Sequence, residues 1–132
     1  MAITSSAITN IAKSGITQLL GGANTTLYYQ CLAVGNSTLT ANESNTGIIG
    51  DEQMWHDGNF SYFTNTNSSY IAQWNSTWIY DDLTTHIFRE VVVCQNATNA
   101  TGQGLLRGVY DAVTLGTEDS ISIVAQISVT EG

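Results

Sequence analysis

Residues 119–129 read DSISIVAQISV, and here Ile121, Ile123, Ala125, Ile127 and Val129 share one face against Ser120, Ser122, Gln126 and Ser128 on the other. Alternation with a period of two marks a β-strand with one buried and one solvated face, as in antiparallel sheets. The signal recurs upstream. Residues 105–113 read as a strand, and so do residues 83–94, where Ile87, Arg89, Val91 and Val93 alternate with Phe88, Glu90, Val92 and Cys94. Residues 70–80 put Tyr70, Ala72, Trp74, Trp78 and Tyr80 on one face, for a core or a subunit interface. Their other face carries Gln73, Asn75 and Thr77 with Ile71 and Ile79, which predicts a solvent-facing Asn75. Residues 53–64, across the turn-rich TNTNSS, complete a hairpin with this segment. Leu27 to Val34 is a further apolar run, closed by Gly35, while NSTLTANESNTG and NATNATGQG read as loops. The expectation is a mainly β chain, an antiparallel β-sandwich of about six to eight strands over 27–129.

Ahead of the strands, Ile8, Ile11, Ala12, Gly15, Ile16, Leu19 and Leu20 recur at helical spacing, which predicts one N-terminal α-helix over 5–20. Ser5 or Ser6 would cap it and Gly21-Gly22 would end it. Its β-branched residues lower its propensity, so it needs a partner surface, in the domain or on a neighbouring subunit. The whole of 1–132 is expected to be one domain.

Eleven acidic residues against three basic ones give a net charge of −8. A chain so poor in cations cannot bind DNA or RNA by neutralising phosphates, and binding to anionic membrane surfaces is not expected on the same ground. No stretch of 18 apolar residues occurs, so membrane insertion by a helix is not expected. Only 11% of residues are charged, whereas Ser, Thr and Asn make up 41 of 132, so hydroxyls and amides must build most of the polar surface. The first fifteen residues lack the cationic and apolar regions of a secretory signal. Either a signal is removed ahead of Met1, or the chain leaves the cell by another route such as lysis.

Eight of the eleven asparagines begin an N-x-S/T triplet: Asn24, Asn36, Asn42, Asn59, Asn67, Asn75, Asn96 and Asn99. The composition alone would give about two or three. Glycosylation of several of these sites is expected, which points to a eukaryotic or archaeal host and an extracellular setting. Cys31 and Cys94, the only cysteines, each sit within an apolar run. A cross-strand disulfide and two buried thiols are both compatible with that placement.

Candidate chemistry is sparse. Arg89 and Glu90 are strand neighbours pointing to opposite faces, so structural ion pairs are expected to join Arg89 and Arg107 to carboxylates such as Glu90, Asp111 or Asp119. His56 with Asp51, Glu52 and Asp57, and His86 with Asp81 and Asp82, are the only clusters suggestive of a metal, and neither has zinc or EF-hand spacing. No G-x-S-x-G nucleophile turn is present. Neither catalysis nor a cofactor is expected.

Taken in order, the segments resemble the small β-sandwich modules of tail and tail-fibre proteins of tailed viruses. That pattern has a TN-x-G-x-x-x-x-A-x-LL helix, a strand like YIALGTG, a Thr/Ala/Ser/Asp-rich loop, a strand opening with RE, then strands like LLARAVF and DTLTITWTITF. The corresponding stretches are ITNIAKSGITQLLGG, YYQCLAVGNSTLTANESNTG and FREVVVCQNATNATGQGLLRGVYDAVTLGTEDSISIVAQISV. Residues 51–80 are unmatched. The strongest piece is Phe88-Arg89-Glu90-Val91-Val92 followed by Leu105-Leu106-Arg107. The family strand continues with Gly where Val92 stands, and its bacterial members lack this density of sequons. The resemblance therefore implies a tailed virus of an archaeon or a related surface protein.

On that footing the expected function is a non-enzymatic virion structural protein, multimeric, located in tail, baseplate, fibre or head decoration, with copies of itself and other virion proteins as partners. A glycosylated extracellular filament or surface-layer subunit assembled by strand exchange is the second reading. A module binding host surface glycans through Trp55, Trp74 or Trp78 is the third.

Overall fold

A computed structural model of the chain describes residues 3–23, 29–48, 50, 55–64, 69–95 and 104–129. The described elements are β1 (Ile3–Ile8), α1 (Asn10–Leu20), β2 (Cys31–Gly35), β3 (His56–Asp57), β4 (Ser61–Thr64), β5 (Tyr70–Ile79), a 3-10 turn (Tyr80–Asp82), β6 (Ile87–Cys94), β7 (Gly104–Thr114) and β8 (Ser120–Val129). They form two antiparallel sheets, a five-stranded one in the order β1-β7-β6-β2-β3 and a three-stranded one in the order β4-β5-β8. The protein is mainly β and sandwich-like.

The alternating C-terminal segment pairs with β5 in an unbroken antiparallel ladder from Tyr70↔Val129 to Ile79↔Ser120. Its inward face carries Ile123 and Ala125, which meet Trp74 and Trp78 of β5 and Leu32, Val34, Phe88, Val91 and Val93 of the other sheet in one core cluster. Both tryptophans are buried. Tyr70, on the same face, is exposed because it stands at the end of the strand. Asn75 points to the opposite face yet is half-buried: its backbone N–H donates to the Gly58 carbonyl at 2.6 Å and its own carbonyl accepts from Asn59 Nδ2 at 3.1 Å.

The N-terminal expectation needs correction. Residues 3–8 form a strand, so the helix begins at Asn10 and follows a strand. The cap is Thr9, not Ser5 or Ser6. Its Oγ1 accepts from the Ala12 N–H at 3.1 Å and donates to the Gly104 carbonyl at 2.6 Å, fastening the cap to β7. Helical spacing assigns residues 5–8 to the helix, and the open edge of β7, paired from Ile3↔Tyr110 to Ile8↔Leu106, makes them strand instead. The helix ends where expected, at Gly21, with Gly22 at φ 76°. The 83–94 segment also starts later than expected, at Ile87. Tyr80–Asp82 turn back as a 3-10 helix in which Asp82 Oδ2 accepts from the Ile79 N–H at 2.9 Å. Of the 53–64 run, His56–Asp57 and Ser61–Thr64 are strand, and residues 51–54 lie outside the described residues.

Every residue of β2, and Glu90 through Cys94 of β6, is buried. Alternation predicts one wet face there, but residues 36–48 cross the outer face of the five-stranded sheet. Ile48 packs on Cys31, Ala33, Val92 and Cys94 in a second cluster. This strap is pinned at several points: Gly104 N–H to the Thr46 carbonyl at 2.8 Å, Asn10 N–H to the Glu43 carbonyl at 2.7 Å, and Ala41 N–H to Ser5 Oγ at 2.8 Å.

Candidate functional site

Under the strap lies a charged pair. Glu90 on β6 and Arg107 on β7 both have fully buried side chains, with Arg107 Nε 2.9 Å from Glu90 Oε2. Glu90 Oε1 accepts the backbone N–H of Gly50 at 2.8 Å and of Ser37 at 3.2 Å, while Arg107 Nη1 donates to the Leu39 carbonyl at 3.0 Å and Asn45 Oδ1 at 3.2 Å. The two charges therefore hold both arms of the strap. Gly35 permits the approach, since a Cβ there would stand 2.5 Å from Glu90 Oε1. Neither side chain has surface with which to meet a substrate. Arg89 differs from expectation, forming no ion pair among the described residues, and its buried Nε has no partner there. It sits where the β6–β7 register shifts between Phe88 and Glu90.

The two histidines meet different groups. His56 Nε2 meets Asp82 Oδ2 at 3.4 Å and its ring lies 4.8 Å from that of Trp78. His86, at φ 55°, stacks on Tyr80 at 3.7 Å. Asp57 Oδ1 accepts the Asn59 N–H at 2.9 Å, and Asp51 and Glu52 lie outside the described residues. Among the described residues no three His, Cys, Asp or Glu side chains converge.

Cys31 and Cys94 face each other directly in the β2–β6 ladder as buried thiols that no disulfide joins. Cys94 Sγ lies 3.6 Å from the Cys31 carbonyl oxygen. Burial pushes the Cys31 thiol pKa up, and the Asp57 carboxylate adds to the shift. Since the thiolate is the nucleophile, native protein is expected to resist a polar disulfide reagent, with two equivalents reacting only after denaturation. Counting thiols with and without a reductant checks this. No reaction in denaturant without reductant would mean that the pair is bonded.

Of the sequon asparagines, Asn24, Asn67, Asn96 and Asn99 lie outside the described residues. Asn36 is half-buried, like Asn75. Asn42 and Asn59 are exposed. Asn42 Oδ1 accepts both the N–H and the hydroxyl of Ser44 at 2.8 Å, an Asx-turn on the exposed surface.

Several large apolar and aromatic side chains are exposed. Trp74 and Trp78 cannot stack on a ligand because the core encloses them, and only Trp55 of the three tryptophans is exposed. Phe60 and Tyr62 stack with centroids 6.2 Å apart at the β4 edge, Tyr62 being 83% exposed. On α1 only Ala12 is buried. Ile11, Ile16, Leu19 and Leu20 are all exposed, Leu20 at 84%, and Ile3 and Ile8 of β1 are exposed as well. Between the open edges of the two sheets lies a cleft of about 160 Å³ lined by Ile3, Leu106 and Tyr110 on one side and Val124, Ala125 and Gln126 on the other. Among the described residues no helix is long and apolar enough to cross a membrane. Comparison with known protein families, curated proteins and solved structures finds no match.

Proposed function

We propose that this chain is a non-enzymatic structural subunit of a tailed virion of an archaeal host, acting as a multimer in tail, baseplate, fibre or head decoration. The observation that carries the reading is α1. A helix whose apolar side lies open, following an edge strand with exposed Ile3 and Ile8, is an unfinished interface. Small repeated subunits bury such surfaces on one another or on neighbours in closed symmetry. The order of segments from ITNIAKSGITQLLGG to DSISIVAQISV, resembling tail and tail-fibre modules, supports the viral setting. The second reading, an extracellular filament or surface-layer subunit, is favoured by the long charge-free edge of β8.

Gold-labelled antibody against the chain, applied to the native source in the electron microscope, is expected to decorate particles with a head and tail. Label confined to long fibres or the cell envelope would replace the viral reading with the cellular one.

A further inference from the structure

We propose that β8 is a self-pairing edge, at which two copies of the chain join β8 to β8 antiparallel about a twofold axis at Val124, turning two three-stranded sheets into one of six strands. Sheet edges in monomeric proteins are blunted by charges, proline, bulges or brevity. β8 has none of these. It runs ten residues with no charged residue and no proline, its ladder with β5 has no register shift, and no described strand pairs with its outer side.

The sequence of the strand is close to self-complementary. Residues directly opposite in an antiparallel pair share a face. With Val124 opposite its own copy, Ile123 meets Ala125 and Ile121 meets Ile127 on the inward face. On the outward face Ser122 meets Gln126 and Ser120 meets Ser128. Asp119 falls opposite Val129, so no like charges face each other although each copy carries −8. The cleft between the sheets opens at Val124, Ala125 and Gln126, the residues at the axis, where a second strand would close over it. The opposite sheet's edge is a poorer candidate, since β1 has six residues and a register shift between Ile3 and Ser5.

This pairing goes beyond the proposed function and is tested apart from it, on purified protein by light scattering coupled to size exclusion. Wild type is expected at twice 14.2 kDa. Val124→Lys sets two cations against each other at the axis, on a side chain 56% exposed in the single chain, and is expected at 14.2 kDa with an unchanged circular dichroism spectrum. Three cysteine variants fix the register. Val124→Cys should oxidise to a covalent dimer, because directly opposed residues fall within disulfide reach. Ser122→Cys and Gln126→Cys should each fail alone and cross-link when mixed. Wild type at 14.2 kDa at high concentration, or a Val124→Lys variant that keeps the doubled mass, would overturn the pairing. Should Val124→Lys misfold, the cysteine pattern decides. A monomeric result removes the β8 pairing and leaves the virion reading to the gold label.

Discussion

Arg107→Met is expected to lower folding stability by about 3–5 kcal/mol, the cost of leaving a buried charge without its partner. Arg107 has no exposed surface, and its loss removes the counter-charge from the equally buried Glu90 carboxylate, which the Ser37 and Gly50 N–H groups also contact. The Leu39 carbonyl loses the Arg107 donor at the same stroke, and so does Asn45 Oδ1, which retains the Asn42 N–H at 2.8 Å, so the strap should loosen as well as the sheet. Two observables separate these effects. The urea midpoint should fall, and limited proteolysis should open cleavage within residues 36–50 ahead of any cleavage in β5 or β8. Glu90→Gln/Arg107→Met should cost clearly less than the sum of the two single changes, because the double variant leaves no unpaired charge behind. An Arg107→Met variant within about 1 kcal/mol of wild type would mean that the pair is hydrated in solution and that the strap is held by its backbone contacts alone.

How far the sequence disclosed these features differs between elements. β5 and β8 were legible because each has one wet and one dry face, so the period of two survives, and their complete ladder follows from it. The Val91-Val92-Val93 run and the Cys31–Gly35 strand carry a weaker signal. Unbroken apolar sequence is what a strand covered on both sides requires, but nothing local says what covers it. The cover is a segment of hydroxyls and amides that reads as loop, and only Ile48 and the closely approached Gly35 hint at its docking. Arg107 and Glu90 could be suspected from the scarcity of cations, but the match between them depends on β6–β7 register, including a shift beside Glu90 that no spacing rule foretells. At the N-terminus, Ile8, Ile11 and Ala12 fit helical spacing as well as Ile3–Ile8 fits a strand. The choice was made by the open edge of β7, a partner about a hundred residues away. The exposed side of α1 was unreadable for the opposite reason. An apolar stripe states that something should cover it, and the covering surface is not part of the chain's described fold.

Trp78→Ala is expected to cost about 3–5 kcal/mol, the range for emptying a large aromatic site in a packed core. Trp78 is the largest of the fully buried side chains. It stands on β5 opposite Ile121, packs toward Phe88 and Leu32 of the facing sheet, and carries His56 against its ring at 4.8 Å. A three-stranded sheet has few other large groups with which to grip a five-stranded one, so the cavity cannot close without bringing the sheets together along the whole β5–β8 ladder. The melting temperature should drop by roughly 10 °C or more, as that energy implies for a chain of this size. Trp78→Phe retains part of the volume and should fall between, whereas Tyr62→Ala, at an 83% exposed site, should stay within about 0.5 kcal/mol of wild type. If Trp78→Ala and Tyr62→Ala melted alike, the two sheets would not share the core that places β8 at an open edge, and the self-pairing of β8 would lose its structural footing together with it.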